Sequence, residues 1–89
     1  MFTDEELSEY LITAKVDYPP YFFKDILRGD LKMIVEHKST KISKNDFIII
    51  TETDVSEDTN RELIVKITHT YPFDDVVILS FEIIKGSSI

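Results

Sequence analysis

The stretch "YPPYFFKDILRGDLKMIVEH", residues 18–37, decides how the chain folds. Tyr18-Pro19-Pro20 stops one element and starts another, because proline suits the first turn of a helix and biases the residue before it toward extended backbone. Phe22, Phe23, Ile26 and Leu27 follow at i, i+3, i+4 spacing, which predicts a short amphipathic helix over 20–28 with Lys24, Asp25 and Arg28 on its wet side. Gly29 stands where a helix C-cap needs a residue that tolerates positive φ. Beyond it the period changes to two, and 31–37 reads as a strand with Lys32, Ile34 and Glu36 on one face and Leu31, Met33, Val35 and His37 on the other.

Outward from this helix–glycine–strand unit, "LITAKV" (11–16) reads as a first strand. Thr3 and Glu6 have capping-box spacing, so an acidic helix is expected within residues 1–10. "KSTKISKND" (38–46) is a polar connection, and "FIIITE" (47–52) a strand apolar on both faces. "TDVSEDTN" (53–60) is a hydrophilic turn. "RELIVKITHTY" (61–71) alternates, with Leu63, Val65, Ile67, His69 and Tyr71 on one side; His69 is expected to be partly buried. Pro72-Phe-Asp-Asp reads as a turn, and "VVILSFEII" (76–84) closes the sheet with Val77, Leu79, Phe81 and Ile83 inward. Residues 85–89 read as a frayed tail. The expectation is one α+β domain over 1–89: a small twisted barrel of about five strands with one or two short helices.

Composition narrows the function classes. An apolar fraction of 43% with ten aromatic residues excludes intrinsic disorder, although 30% of residues are charged. The absence of cysteine excludes disulfides, thiolate metal sites and a thiol nucleophile. No apolar run approaches the roughly 20 residues of a membrane helix, and the acidic start is unlike a signal peptide. These features lead to the expectation of a soluble, cytoplasmic protein without cofactor.

Net charge is −7, but residues 24–44 carry six Lys/Arg against three acids, a local +3. An acidic body argues against general nucleic-acid coating and leaves only local patches to act within about 8–10 Å. Lys38, Lys41 and Lys44 recur every three residues among Ser39, Thr40 and Ser43, and Lys24 and Arg28 precede them. Such a basic island suits phosphate, with Tyr18, Tyr21 or Tyr71 available to stack on a base. The acids Glu52, Asp54, Glu57, Asp58, Asp74 and Asp75 suggest the alternative, a surface for a basic protein partner such as a nuclease or toxin. Lys32 and Glu36 read as a surface ion pair rather than an acid–base pair. His37 and His69 have no second ligand at metal spacing, so no metal is expected.

The order of these pieces resembles the ASCH domains of the PUA-like superfamily, in particular a small subgroup found in bacteria and phages. The resemblance spans residues 18–84 and rests on Tyr21-Phe22, Ile26-Leu27-Arg28-Gly29, Lys44-Asn45-Asp46 leading into Phe47-Ile48-Ile49-Ile50, Asn60-Arg61-Glu62-Leu63-Ile64-Val65, and Val76-Val77-Ile78-Leu79-Ser80-Phe81-Glu82. It implies a PUA-like barrel and a cleft for RNA or a modified nucleoside, lined in that family by G-x-K-x-x-E-x-R. Laid on this chain, Gly29 keeps the glycine, while Leu31 takes the Lys position, Ile34 the Glu and Glu36 the Arg. The amidohydrolase chemistry of some family members on acylated cytidine is therefore not carried over, and an amidohydrolase acting on a modified nucleoside stands only as a third reading. The resulting expectation is a non-catalytic RNA- or nucleotide-binding module in a bacterial or phage-infected cell, contacting phosphate through Lys24, Arg28, Lys38, Lys41 and Lys44, with Tyr21 beside the base. The alternative is a phage-encoded inhibitor acting through the acidic surface.

Overall fold

The computed structural model describes residues 1–53 and 61–87. Along the chain run α1 (Asp4–Leu7), β1 (Ile12–Tyr18), α2 (Pro20–Arg28), β2 (Met33–His37), a 3-10 turn (Lys38–Thr40), β3 (Phe47–Glu52), β4 (Glu62–Phe73) and β5 (Val76–Gly86). The strands form one curled sheet in the order β1-β3-β4-β5-β2, a half-barrel whose concave side is filled by α2. β1 and β3 are parallel, while all other neighbours are antiparallel.

Local chemistry sets α2 as expected. Pro20 opens it, Phe23 and Ile26 are fully buried, and Gly29 at φ 81° ends it with its N–H donating to Ile26 O. Leu27 is the exception to the expected inner face and is exposed. The capping box also forms, since Thr3 Oγ1 accepts from Glu6 N–H and Glu6 Oε1 accepts from Thr3 N–H. The helix it caps is one turn long rather than filling residues 1–10.

β3 carries Ile48 and Ile50 into the main core with Phe23, Ile34, Val65, Ile67 and Leu79. Its alternate residue, Ile49, joins Ile64 on the convex side. Phe2, Leu7, Tyr10 and Ile12 cover that second cluster, with Tyr10 tilted against Phe47 at 5.2 Å. The first dozen residues are thus a cover for one half of the outer face.

Several boundaries and faces differ from the sequence reading. β1 begins one residue later and runs two longer, and β2 starts only at Met33, leaving Leu31 and Lys32 ahead of it. β4 continues through Pro72 and the turn shrinks to Asp74-Asp75, with Phe73 paired to Val76 and Asp74 at φ 53°. Proline is tolerated because β3 pairs β4 only over Glu62–Lys66, so beyond that point one side of β4 needs no donor.

His69 and Tyr71 are not in the inner row. The pairing passes from Ile67↔Phe81 to His69↔Ser80, so Thr68 is an extra residue, a bulge that reverses the alternation. Both side chains are exposed, and their rings stack at 6.0 Å on the convex side. Ile83 keeps the inner side, opposite Val65 and beside Phe81, but is exposed there at the rim of the concave face. The start of the tail is tied rather than frayed: Lys85 and Gly86 belong to β5, Ser87 N–H donates to Glu62 O, and Ser87 Oγ accepts from Glu62 N–H.

Candidate functional site

Two hollows flank the segment Leu31–Val35. One is an apolar groove of about 460 Å3 lined by Tyr18, Phe22, Leu31, Met33, Ile34, Val35 and Ile78. Leu31 also borders the second, a pocket of about 230 Å3 with Ile26, Gly29, Lys32, Phe81, Glu82 and Ile83. The position Ile34 occupies is 1% exposed and lies in the main core. A carboxylate there would be a buried charge, so this position serves packing.

Glu36 has a different partner from the one its sequence neighbours suggest. Its carboxylate accepts a short hydrogen bond from the Tyr18 hydroxyl, and no Lys32–Glu36 ion pair forms. The same hydroxyl lies 3.3 Å from Val35 O. Tyr18 also stacks on Phe22, with ring centroids 4.5 Å apart and planes 14° from parallel. Burial, followed by the hydrogen bond and charge of Glu36, pushes the Tyr18 phenol far above its ordinary value. It is therefore a fixed donor and unsuited to act as a base or as a free stacking surface.

The basic island divides into two groups. Lys38 and Lys41 line a shallow hollow of about 300 Å3 with Ile42, Thr70, Pro72 and Val77. Lys41 occupies this position because it takes the left-handed conformation, φ 54°, that ends the 3-10 turn. His37 Nδ1 accepts from Ser39 N–H, and Thr40 Oγ1 donates to His37 O, which fixes the turn. Buried Ile42 anchors the segment from below, a role not anticipated for a polar connection.

Lys44 lies outside that hollow, on a loop pinned by Asp46, which accepts from Ser43 N–H and Thr13 Oγ1. Lys24 and Arg28 are exposed on α2, whose end leads through Gly29 toward the opposite end of β2. None of these cations makes an ion pair among the described residues. Tyr21 is exposed on the first turn of α2. Tyr71 points away from the Lys38–Lys41 hollow, because Thr70 and Pro72 on either side of it line that hollow.

The three described members of the acidic set, Glu52, Asp74 and Asp75, do not share one surface. Glu52 is buried, and its carboxylate accepts from Arg61 Nε at 3.0 Å and Nη2 at 2.7 Å, with the guanidinium 5.3 Å from the Phe23 ring centre. This ion pair is part of the core lining, which corrects its placement on an outer acidic face. Asp74 and Asp75 are exposed at the β4–β5 turn, while Asp54, Glu57 and Asp58 lie outside the described residues.

Sequence reasoning missed Glu62, whose carboxylate joins three other segments of the described chain. Its side chain is 4% exposed; Oε1 accepts from Phe2 N–H, and Oε2 accepts from Thr51 Oγ1 and pairs with Lys15 Nζ at 3.1 Å. Burial alone would raise its pKa, but the Phe2 N–H, Lys15 and Thr51 together hold it below the usual carboxylate range. The available signal was an acid directly before the apolar run Leu63-Ile64-Val65.

Among the described residues no three His, Asp or Glu side chains cluster as metal ligands, and no helix is long and apolar enough to cross a membrane. The chain matches no protein-family model, and a search of curated proteins finds no match.

Proposed function

We propose that this chain is a non-catalytic RNA-binding module built on a curled sheet of PUA-like type. The supporting observation is the convergence of Lys38 and Lys41 on one hollow beside Thr70, without an ion-pair partner among the described residues. Ammonium groups and a hydroxyl around a shallow depression are the groups that hold a backbone phosphate. The Lys24–Arg28 group lies toward the far end of β2, and five extended residues span about 17 Å. One phosphate cannot bridge that length, whereas a strand of RNA following β2 reaches both groups. The groove beside β2 contributes apolar walls against which a base can lie.

The test is a filter-binding titration with single-stranded RNA across a range of salt concentrations. The double substitution Lys38→Ala/Lys41→Ala is expected to weaken binding and to flatten the logarithmic salt slope by about 1.4, the value for two lost single-strand phosphate contacts. An unchanged affinity, or no binding by the unmodified chain at low salt, overturns the reading.

A further inference from the structure

We infer that the uncovered half of the sheet's convex face is an interface between two copies of this chain. The strand register builds this surface from three cross-strand rows: Met33–Ser80–His69, Val35–Ile78–Tyr71 and His37–Val76–Phe73. Their neighbours Ile34, Val77 and Leu79 point into the core, so the rows point outward. Met33, Val35, Tyr71 and Phe73 are 46%, 53%, 52% and 67% exposed. Aromatic side chains carry about 150–250 Å2 each, so these four residues leave roughly 400 Å2 of apolar surface in water, enough to mark an interaction site.

Three observations select a second copy as the occupant. The first is continuity, since residues 2–12 already cover the other half of this face through Phe2, Leu7, Tyr10 and Ile12 and end short of these rows. The second is charge. The chain carries −7, yet none of the nine positions is a carboxylate, so two copies meet here with least repulsion.

The third is shape. β5 lies between β2 and β4, so a two-fold axis along β5 lays β2 of one copy over β4 of the other. Val35 then faces Tyr71, and Met33 faces His69, an aliphatic side chain opposite a ring in both rows. Two such faces stack about 10 Å apart, as in a β-sandwich. With both copies counted, the buried area is on the order of 1,000 Å2, the low end for a specific interface. The dimer is accordingly expected to have a Kd in the micromolar range, about 1–100 µM.

Sedimentation equilibrium over that concentration range tests the inference. The unmodified chain is expected to move from the 10.4 kDa monomer toward twice that mass. Tyr71→Glu and Val35→Lys are each expected to stay monomeric, with far-UV circular dichroism confirming that these half-exposed positions leave the fold intact. Mixing the two variants is expected to restore a dimer, because the new carboxylate and ammonium face each other across the axis. A chain that stays at monomer mass throughout overturns the inference. So does a dimer that survives both substitutions, or a mixture that fails to associate. Met33, Val35 and Ile78 also line the groove beside β2, whereas Tyr71 lies outside both that groove and the Lys38–Lys41 hollow, so RNA titration of Tyr71→Glu separates loss of the dimer from loss of RNA binding.

Discussion

Tyr18 donates its hydroxyl to Glu36, joining β1 and β2, the two strands at opposite edges of the sheet. The half-barrel thus has a side-chain latch where a closed barrel would have a ladder of backbone hydrogen bonds. Residues 19–35, including all of α2, form the loop that this latch closes.

The latch predicts that Tyr18→Phe destabilises the fold by about 1–3 kcal/mol, because Glu36 loses its partner while partly buried. Equilibrium urea unfolding checks this. The double change Tyr18→Phe/Glu36→Leu is expected to recover part of the loss, since neither polar group is then orphaned. The raised Tyr18 pKa adds a pH signature. Above the ordinary phenol value of about 10, the unfolded chain loses the proton that the folded chain keeps, so stability falls as pH rises. Tyr18→Phe is expected to flatten that alkaline limb.

Glu62 has the opposite sign. Its folded pKa lies below the ordinary 4.5, so in the window below that value the unfolded chain binds more protons, and stability falls as pH drops. Glu62→Gln is expected to flatten the acid limb of a stability–pH profile. It should also speed amide hydrogen exchange at Phe2, whose N–H donates to this carboxylate. An unchanged acid limb would show that the cover formed by the first residues is held by apolar contact alone.

Gly29 isolates a backbone effect. A Cβ added there meets no atom within 4 Å, so only the φ of 81° opposes a side chain. Gly29→Ala is expected to cost about 1–2 kcal/mol and Gly29→Asn less, because asparagine tolerates the left-handed region. Thermal unfolding of the pair checks the ordering.

What was legible in the sequence was what neighbouring residues decide. Pro20, the apolar spacing of Phe23 and Ile26, and Gly29 specify a helix and its stop without reference to the rest of the chain. The run Phe47–Glu52 is apolar on both sides and must be an inner strand. What was not legible depends on pairing across the sheet. Nothing in "KITHTYPF" marks Thr68 as a bulge, yet that one residue moves His69 and Tyr71 from the core side to the outer face. Glu52, Glu36 and Glu62 looked alike as acids, and their fates differ because Arg61, Tyr18 and Phe2 reach them only in the folded chain. The basic island looked continuous because its members are close in number, whereas β2 separates them in space.

Ile34 offers a test of whether this strand can carry a charge between the two hollows. A family-like centre would need Leu31→Lys and Ile34→Glu, and the two positions differ in depth. Leu31 is only partly buried and borders both hollows, so a lysine can extend its ammonium into water while its stem covers the same apolar wall. Leu31→Lys is expected to cost less than about 1.5 kcal/mol. Ile34 is fully enclosed by the main core. A carboxylate there loses its hydration with no cation placed to receive it, and the cost is expected to be about 3–5 kcal/mol, enough to unfold much of a domain this small at neutral pH. Protonation relieves that charge, so Ile34→Glu is expected to regain structure as pH falls toward 5, opposite to the acid limb set by Glu62. Circular dichroism across pH 5–8 separates the two outcomes. A variant folded at pH 8 would mean that the strand can turn position 34 outward.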